Sequence, residues 1–178
     1  MDTIQVKDKT FRISIPADKI QQQVDRVAAE VIRDLDGCEP VFLCILNGSF
    51  MFAADLLKRV TIPAEVHFIK VSSYEGVSST GKIQEVIGLK TSLTGRHVVI
   101  IEDIVDTGLT MSHLLEMLKQ QNPASLRVCT LLSKPEKLQV PLQLDYVALQ
   151  IPNDFIVGYG LDYDDFGRNL PDIYTVVD

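Results

Sequence analysis

The sequence predicts an α/β fold in which a mainly parallel, twisted sheet is covered by helices on both faces. Two observations support this prediction: short apolar runs alternate with helical patterns, and no repeat, linker or low-complexity tract divides them. Strands that alternate with helices are joined by right-handed crossovers, which build a parallel sheet between two helical layers. The runs that we predict as strands are residues 41–46, 66–71, 97–101, 126–132 and 146–151.

Each element follows from its local pattern. The strand runs, such as "VFLCIL" and "HVVII", are short and rich in β-branched or aromatic residues, as buried strands are. Residues 17–35 place one apolar stripe on a single helical face, with Pro16 at the start and Gly37 beyond the end. The stripe consists of Ile20, Val24, Val27, Ala28, Val31 and Leu35. Residues 49–60 and 110–121 are predicted as helices on the same grounds.

Length and charge limit the classes of function. The 178 residues are 46% hydrophobic and 23% charged, which suits a single domain, residues 1–178, with a substantial core. The formal net charge of −7 gives a surface that repels polyanions on average, and no dense block of lysine and arginine is present for phosphate contacts. We therefore expect no nucleic-acid partner.

The cysteines and the apolar runs indicate the cellular compartment of the protein. The three cysteines are odd in number and lack metal-ligand spacing, and Cys44 and Cys129 fall inside apolar runs where a buried, reduced thiol is expected. The N-terminus has no apolar signal-peptide core, and the longest apolar runs are far shorter than the roughly 20 residues of a membrane span. These features predict a cytoplasmic protein without a membrane partner.

One stretch, "HVVIIEDIVDTGLT", combines an apolar strand with three carboxylates. In a doubly wound sheet, ligands bind outside the carboxyl ends of the strands, where we expect Glu102 and Asp103. The following "DTGLT" leads into a helix, so backbone N–H groups and the helix N-terminus are expected to form an anion cradle, with Gly108 allowing unusual dihedral angles. Carboxylates beside a phosphate would repel it, so they should face sugar hydroxyls or hydrated Mg²⁺. The pattern predicts a phosphorylated sugar as ligand.

Three other interpretations of this stretch exist. Glu102, Asp103 and Asp106 also suit solvated turn residues that cap a helix. The tripeptide "DTG" matches the aspartic-protease signature, but that carboxylate belongs to an all-β context with a paired carboxylate. A Walker-type loop is excluded because no G-x-x-x-x-G-K-[ST] is present, and "STGK" at residues 79–82 lacks a preceding strand.

The chain resembles the type I phosphoribosyltransferases, and among them the hypoxanthine (hypoxanthine-guanine) phosphoribosyltransferases. The resemblance runs from Val41 to Arg168 through "ILNGSF", "SSYEGVSSTG", "EDIVDTGLT", "LLSKP" and "DFIVGYGLDY", in the order that this family has. It implies a type I phosphoribosyltransferase fold with a small hood formed by the N- and C-terminal segments. It also implies Mg²⁺ as cofactor, and transfer of a phosphoribosyl group from phosphoribosyl pyrophosphate to a 6-oxopurine with release of pyrophosphate.

The resemblance assigns roles to individual residues. Asp106 is the expected general base, or the partner that stabilises the protonated purine, and Glu102, Asp103 and Asp162 are the expected carboxylates for Mg²⁺. Lys134 is expected to donate to the purine O6, Phe155 to stack on the ring, Ile156 to read the ring edge through its backbone, and Asp162 to lie close by. The residues expected to bind phosphoribosyl pyrophosphate are Glu102, Asp103, Asp106, Thr107, Gly108, Leu109, Thr110, Asn47, Gly48 and Arg168.

Two loops complete the expectation. Many relatives have a lysine where this chain has Asn47, so only the backbone of Asn47 and Gly48 is expected to bind pyrophosphate, next to a non-proline cis peptide. Residues 74–84 are polar and rich in glycine and serine, and with Ser73 and Tyr74 they match a flexible loop that closes over the reacting centre. The family also implies a homodimer or homotetramer. A catalytically inactive, nucleotide-sensing regulator of the same fold is the alternative.

Overall fold

The computed structural model describes residues 3–73 and 83–177, with side chains apart from those of residues 73–85. Within these residues, three helices and ten strands follow one another. They are β1 (Thr3–Val6), β2 (Lys9–Ile15), α1 (Ala17–Leu35), β3 (Val41–Ile45), α2 (Phe50–Arg59), β4 (Glu65–Ser73), β5 (Ile83–Ile87), β6 (His97–Val105), α3 (Leu109–Lys119), β7 (Ser125–Ser133), β8 (Tyr146–Gln150), β9 (Ile156–Val157) and β10 (Ile173–Val176). A single 3₁₀ turn, Pro135–Lys137, lies between β7 and β8.

The main sheet has six strands in the order β5-β4-β3-β6-β7-β8. The pairings of β3 with β4 and β6, of β6 with β7 and of β7 with β8 are parallel, which confirms the mainly parallel sheet. Only β5 runs antiparallel, against β4 at the edge. Because the strands are parallel, the carboxyl ends of β3, β6 and β7 meet at one side of the sheet, where the chain then turns into loops.

Helices cover both faces of this sheet, as predicted. Alternate residues of β3 divide between two apolar clusters, since successive side chains of a strand point to opposite faces. Phe42 and Cys44 pack with the buried residues of α1 and α2, whereas Val41 and Leu43 pack with those of α3. The six apolar stripe residues predicted for the first helix are the buried residues of α1.

A second, smaller sheet forms the hood. Its four antiparallel strands lie in the order β1-β2-β10-β9, so segments from both ends of the chain build it, as expected. Phe11 from β2 and Val157 from β9 are fully buried in its core. The hood therefore places the segment around Phe155 next to the N-terminal hairpin.

Two predicted boundaries were wrong. The strand predicted at 97–101 continues to Val105, because β7 extends the parallel ladder with Glu102 paired to Thr130 and Val105 to Ser133. Glu102 and Asp103 therefore lie in the last part of the strand and not beyond it. The loop predicted at 74–84 ends earlier, because Ile83 already pairs with Ser73 at the start of β5. Residues 74–82, including Tyr74, lie outside the described part of the chain.

The cysteines agree with the expectation of buried, reduced thiols. Cys44 and Cys129 are buried free thiols, and burial raises the pKa of Cys44 to about 12. In residues 3–73 and 83–177, no helix is long and apolar enough to cross a membrane.

Candidate active site

The segment after β6 forms a cradle at the N-terminus of α3. Gly108 adopts a left-handed backbone conformation, with φ of 82°, and precedes the first helical residue, Leu109. This is a conformation that glycine adopts without strain, as expected from the sequence. The Leu109 N–H lies 3.4 Å from Thr107 Oγ1. A cavity of about 240 Å³ opens here, and its lining includes Asp106, Thr107, Gly108 and Thr110. Free N–H groups at a helix N-terminus suit a phosphate.

The loop between β3 and α2 lies beside Asp103. Its peptide bond between Leu46 and Asn47 is cis, as the resemblance implied. A Cβ atom on Gly48 would overlap the Asp103 carboxylate, so a residue other than glycine would displace this side chain from its position against the loop. The adjacent strands β3 and β6 thus bring the Gly48 backbone against a carboxylate 55 positions later in the sequence.

A second cavity, of about 290 Å³, gathers most of the predicted sugar and pyrophosphate residues. It shares Glu102, Thr110 and Met111 with the cradle, so the two cavities adjoin. A larger groove, about 350 Å³ beside α3, contains none of the predicted residues. The predicted residues that line the second cavity are Asn47, Gly48, Glu102, Asp103, Thr110, Asp162 and Arg168.

Glu102 and Asp103 form a pair of adjacent carboxylates that line this cavity. The Glu102 Oε1 accepts the Asp103 N–H at 2.8 Å, and the Asp103 Oδ1 accepts the Ile104 N–H at 2.7 Å. Burial, followed by the neighbouring Asp103 carboxylate, raises the pKa of Glu102 well above its ordinary value. A cation at this place would relieve both effects, so the pair fits a divalent metal ion.

Asp162 and Arg168 face the same cavity from the hood. The Arg168 guanidinium lies 3.2 Å from Asp162 Oδ1 and donates to the Gly160 carbonyl at 2.8 Å. Asp162 Oδ2 accepts the Asp165 N–H at 2.9 Å. Both Asp162 oxygens therefore have a partner already. Among the described residues, no group of three or more His, Cys, Asp or Glu side chains is arranged to hold a metal ion.

Asp106 and Lys134 form the far end of the site. The Lys134 ammonium lies 3.8 Å from Asp106 Oδ2, and the Lys134 side chain is only 9% exposed. Its backbone N–H donates to the Val105 carbonyl at 3.0 Å, so β7 and β6 hold the two residues side by side. The predicted base-binding lysine is thus adjacent to the predicted catalytic carboxylate.

Comparison with known proteins shows the family to which the chain belongs. The phosphoribosyl transferase domain family matches residues 16–164. The chain belongs to this family. It is 41% identical over 165 residues to the hypoxanthine-guanine-xanthine phosphoribosyltransferase of Tritrichomonas foetus, which covers 92% of this chain and 90% of the relative. It is also 40% identical to the hypoxanthine-guanine phosphoribosyltransferase of Streptococcus pneumoniae, over 90% of this chain and 89% of the relative.

Solved structures agree with the sequence matches. A crystal structure of a hypoxanthine phosphoribosyltransferase from Staphylococcus aureus superposes with a TM-score of 0.89 at 38% identity, covering 93% of this chain and 91% of that chain. The predicted fold class and the predicted class of enzyme, a phosphoribosyltransferase, are therefore confirmed.

Not every predicted site residue of the transferase lies in these cavities. Phe155 is 46% exposed and belongs to the hood, where its ring meets Tyr163 edge to face at 5.6 Å and Phe11 at 6.1 Å. Ile156 follows it as a buried residue of β9. The described residues that line the two cavities do not include either one. Ser73 ends β4, and its side chain lies outside the described part of the chain.

The sequence interpretation missed two residues beside the site. Lys137 lies 3.1 Å from Asp106 Oδ1, closer than Lys134 lies to this carboxylate. Tyr163 packs on Phe155 and donates to Asp8 at 2.6 Å. The sequence does contain a feature that predicts Lys137. Pro135 after a strand favours a tight turn, which brings Lys134 and Lys137 to the same side.

Proposed function

We propose that the protein transfers the 5-phosphoribosyl group from phosphoribosyl pyrophosphate to hypoxanthine and guanine, which yields inosine and guanosine monophosphates and pyrophosphate in purine salvage. One observation carries the proposal. The carboxylates Glu102 and Asp103 line a cavity that adjoins an anion cradle, and the cradle begins at a carboxylate, Asp106, that is paired with the buried Lys134. The proposed phosphate and sugar sites therefore adjoin, and the Asp106–Lys134 pair proposed for the base lies at one end of the cradle.

The sugar and pyrophosphate sites meet the charges that develop during transfer. The ribose becomes oxocarbenium-like while negative charge collects on the leaving pyrophosphate. The cradle from Asp106 to Thr110, including Leu109, holds the 5′-phosphate, while the backbone of Asn47 and Gly48 and the Arg168 guanidinium bind pyrophosphate. Glu102, Asp103 and, through water, Asp162 would hold Mg²⁺, which when bound neutralises pyrophosphate charge. The raised pKa of Glu102 supports a cation at this place.

The base site pairs a cation with an anion. A 6-oxopurine offers a carbonyl at O6 and a nitrogen proton at N7, so Lys134 donates to O6 while the Asp106 carboxylate accepts or stabilises the proton. Phe155 is exposed enough to stack on the ring, and the Ile156 backbone reads the ring edge.

A nucleotide-sensing regulator without catalysis is the alternative. Such a protein would keep the cradle but could dispense with Asp106, Phe155 or Asp162, all of which this chain retains. The relatives reported above bear enzyme names, which favours catalysis.

The wider setting follows from the same reasoning. We place the enzyme in the cytoplasm, since its three cysteines are free thiols. We assign residues 1–178 to one domain and expect a homodimer or homotetramer, with α2 near the interface.

Turnover with defined bases tests the proposed function. Purified protein with phosphoribosyl pyrophosphate and Mg²⁺ should convert hypoxanthine and guanine to their monophosphates, with xanthine and adenine as comparisons. Nucleotide products are separated by chromatography. Binding of nucleotides without product from any base would support the regulator instead.

Lys134→Gln tests how the base is recognised. Loss of the ammonium should reduce discrimination between 6-oxo and 6-amino purines, while binding of phosphoribosyl pyrophosphate stays nearly unchanged, because the lost contact lies at the base. Ratios of kcat/KM for hypoxanthine and adenine measure the effect. Full exclusion of adenine together with unchanged oxopurine affinity would show that Lys134 does not read O6.

A further inference from the structure

Asp106 contacts two lysines. The Lys137 ammonium lies 3.1 Å from Oδ1 and donates to Oδ2 at 3.4 Å, whereas the Lys134 ammonium lies 3.8 Å from Oδ2. Asp106 Oδ1 is shielded from solvent and accepts no well-directed hydrogen bond from the described residues. Lys137 is therefore the nearest cation to the carboxylate, and the proposed function gives it no role.

The backbone fixes Lys137 in this place. Pro135–Lys137 forms one 3₁₀ turn, in which the Lys137 N–H donates to the Lys134 carbonyl at 3.0 Å. Side chains three residues apart eclipse in such a turn, so both ammonium groups project to the same side. The Lys134 N–H donates to Val105 at 3.0 Å, and the Gln139 N–H donates to Thr107 at 2.9 Å. The turn is thus attached to the cradle on both sides of Asp106.

The two lysines differ in what they can do for a ligand. Lys134 is buried, and a buried ammonium requires an anionic or carbonyl partner. When the Lys134 ammonium donates to a base, it interacts with both the base and Asp106, so its interaction with Asp106 becomes weaker. The Lys137 side chain is 36% exposed and contacts both carboxylate oxygens, at 3.1 Å from Oδ1 and 3.4 Å from Oδ2, so it can remain with Asp106 throughout.

We propose that Lys137 is a positioning residue for Asp106, which orients the carboxylate and supplies its counter-charge when Lys134 engages the purine. This inference rests on the proposed function, in which Asp106 meets the purine proton. Lys137 acts through Asp106 and not on the reacting atoms.

A double-mutant cycle tests the inference. Lys137→Met should lower kcat roughly 5- to 50-fold, the range expected for coupled neighbouring residues, with a smaller change in the KM for phosphoribosyl pyrophosphate. Lys137→Arg should recover most of the turnover, because the guanidinium keeps the charge. In the Asp106→Asn background, Lys137→Met should have no further effect.

The matched control is Lys119→Met, at the exposed end of α3, which should keep normal turnover. Melting temperatures identify any variant that is merely unfolded, and the Arg variant then carries the test. If Lys137→Met keeps the wild-type kcat while Asp106→Asn is slow, the proposed role of Lys137 is wrong and that of Asp106 stands. The same holds if the double variant shows the product of the two single reductions in kcat. Wild-type kcat for Asp106→Asn overturns the proposed role of Asp106 as well.

Discussion

Glu102 and Asp106 are separated by three residues, yet their surroundings differ in charge. Asp106 faces two ammonium groups, from Lys134 and Lys137. Glu102 is partly buried beside the Asp103 carboxylate, and burial followed by this neighbouring charge raises its pKa. Opposite surroundings suit the two proposed tasks, because one carboxylate meets a proton on the base while the other meets a metal ion and ribose.

Substitution of each carboxylate should separate these tasks. Asp106→Asn is nearly isosteric and removes the charge that meets the purine proton, so we expect kcat to fall about 10²- to 10⁴-fold with little change in the KM for phosphoribosyl pyrophosphate. Glu102→Gln combined with Asp103→Asn should mainly raise that KM. Steady-state kinetics at several Mg²⁺ concentrations measure both parameters. Small and equal changes in kcat and KM for both folded variants would support the alternative interpretation, in which these residues are solvated turn residues that cap a helix.

The raised pKa of Glu102 also predicts how stability depends on pH. A folded-state pKa above the unfolded value means that the folded protein holds the proton longer, so stability falls as pH rises from the ordinary carboxyl range to the raised value. Gln cannot titrate. The Glu102→Gln protein without ligands should therefore melt higher than the wild type, with a gap that is small in acid and widens as pH rises.

Thermal unfolding in a series of buffers, without Mg²⁺, measures this gap. Glu116→Gln on the exposed face of α3 is the control and should follow the wild-type curve. A gap that stays constant with pH would mean that Glu102 does not hold a proton in the folded state.

At the scale of elements, the hood supports the ring proposed to stack on the purine. Tyr163 meets Phe155 edge to face, with an interplanar angle of 87°, and Phe11 of β2 contacts both rings. The Tyr163 hydroxyl donates to Asp8 in the turn between β1 and β2. The N-terminal hairpin thus fixes Tyr163, and Tyr163 fixes one edge of Phe155.

Tyr163→Ala should weaken base binding. Aromatic pairs contribute about 0.5–1.5 kcal/mol beyond area burial, so release of Phe155 should raise the KM for hypoxanthine about 2- to 12-fold. The KM for phosphoribosyl pyrophosphate should change less. Phe166→Ala is the matched control, because this ring is 60% exposed and meets Lys7 at 5.1 Å. An equal rise from both variants would mean that the aromatic cluster does not hold Phe155.

At the scale of the whole molecule, α2 offers a surface for self-association. Phe50 is 39% exposed at its start, and a groove of about 350 Å³ runs between Phe50, Met51 and Ala54 of α2 and Ala17 of α1. The helix α2, which lines this groove, begins directly after the loop proposed to bind pyrophosphate. Association here would place two active sites close to the subunit boundary.

Light scattering at micromolar concentration should give the mass of a dimer or tetramer. Phe50→Glu should shift the mass towards the monomer, because a charge would be buried without a partner. Met117→Glu on α3, equally an exposed apolar position, should leave the mass unchanged. A wild-type monomer would contradict the prediction, and an effect of Met117→Glu alone would move the interface to the other face of the sheet.

Features that depend on local order could be predicted from the sequence. The stripe of α1 appears in the periodicity of its apolar residues, and all six are buried. The cradle appears in a strand followed by "DTGLT" and a helical pattern, because Gly108 and the helix N-terminus act through the neighbouring backbone. The alternation of strand and helix patterns predicted the fold class, and the order of the motifs then indicated the family.

The tertiary structure decided the features that join residues remote in sequence. β6 continues through Glu102 and Asp103 because β7 extends the ladder, although two carboxylates look like the end of a strand. Lys137 reaches Asp106 across 31 residues because two backbone hydrogen bonds hold its turn on the cradle. Asp162 is already engaged by Arg168 and the Asp165 N–H, which its sequence motif does not reveal. Such contacts depend on strand register and backbone hydrogen bonds between distant segments, and local patterns of apolar and polar residues do not encode either one.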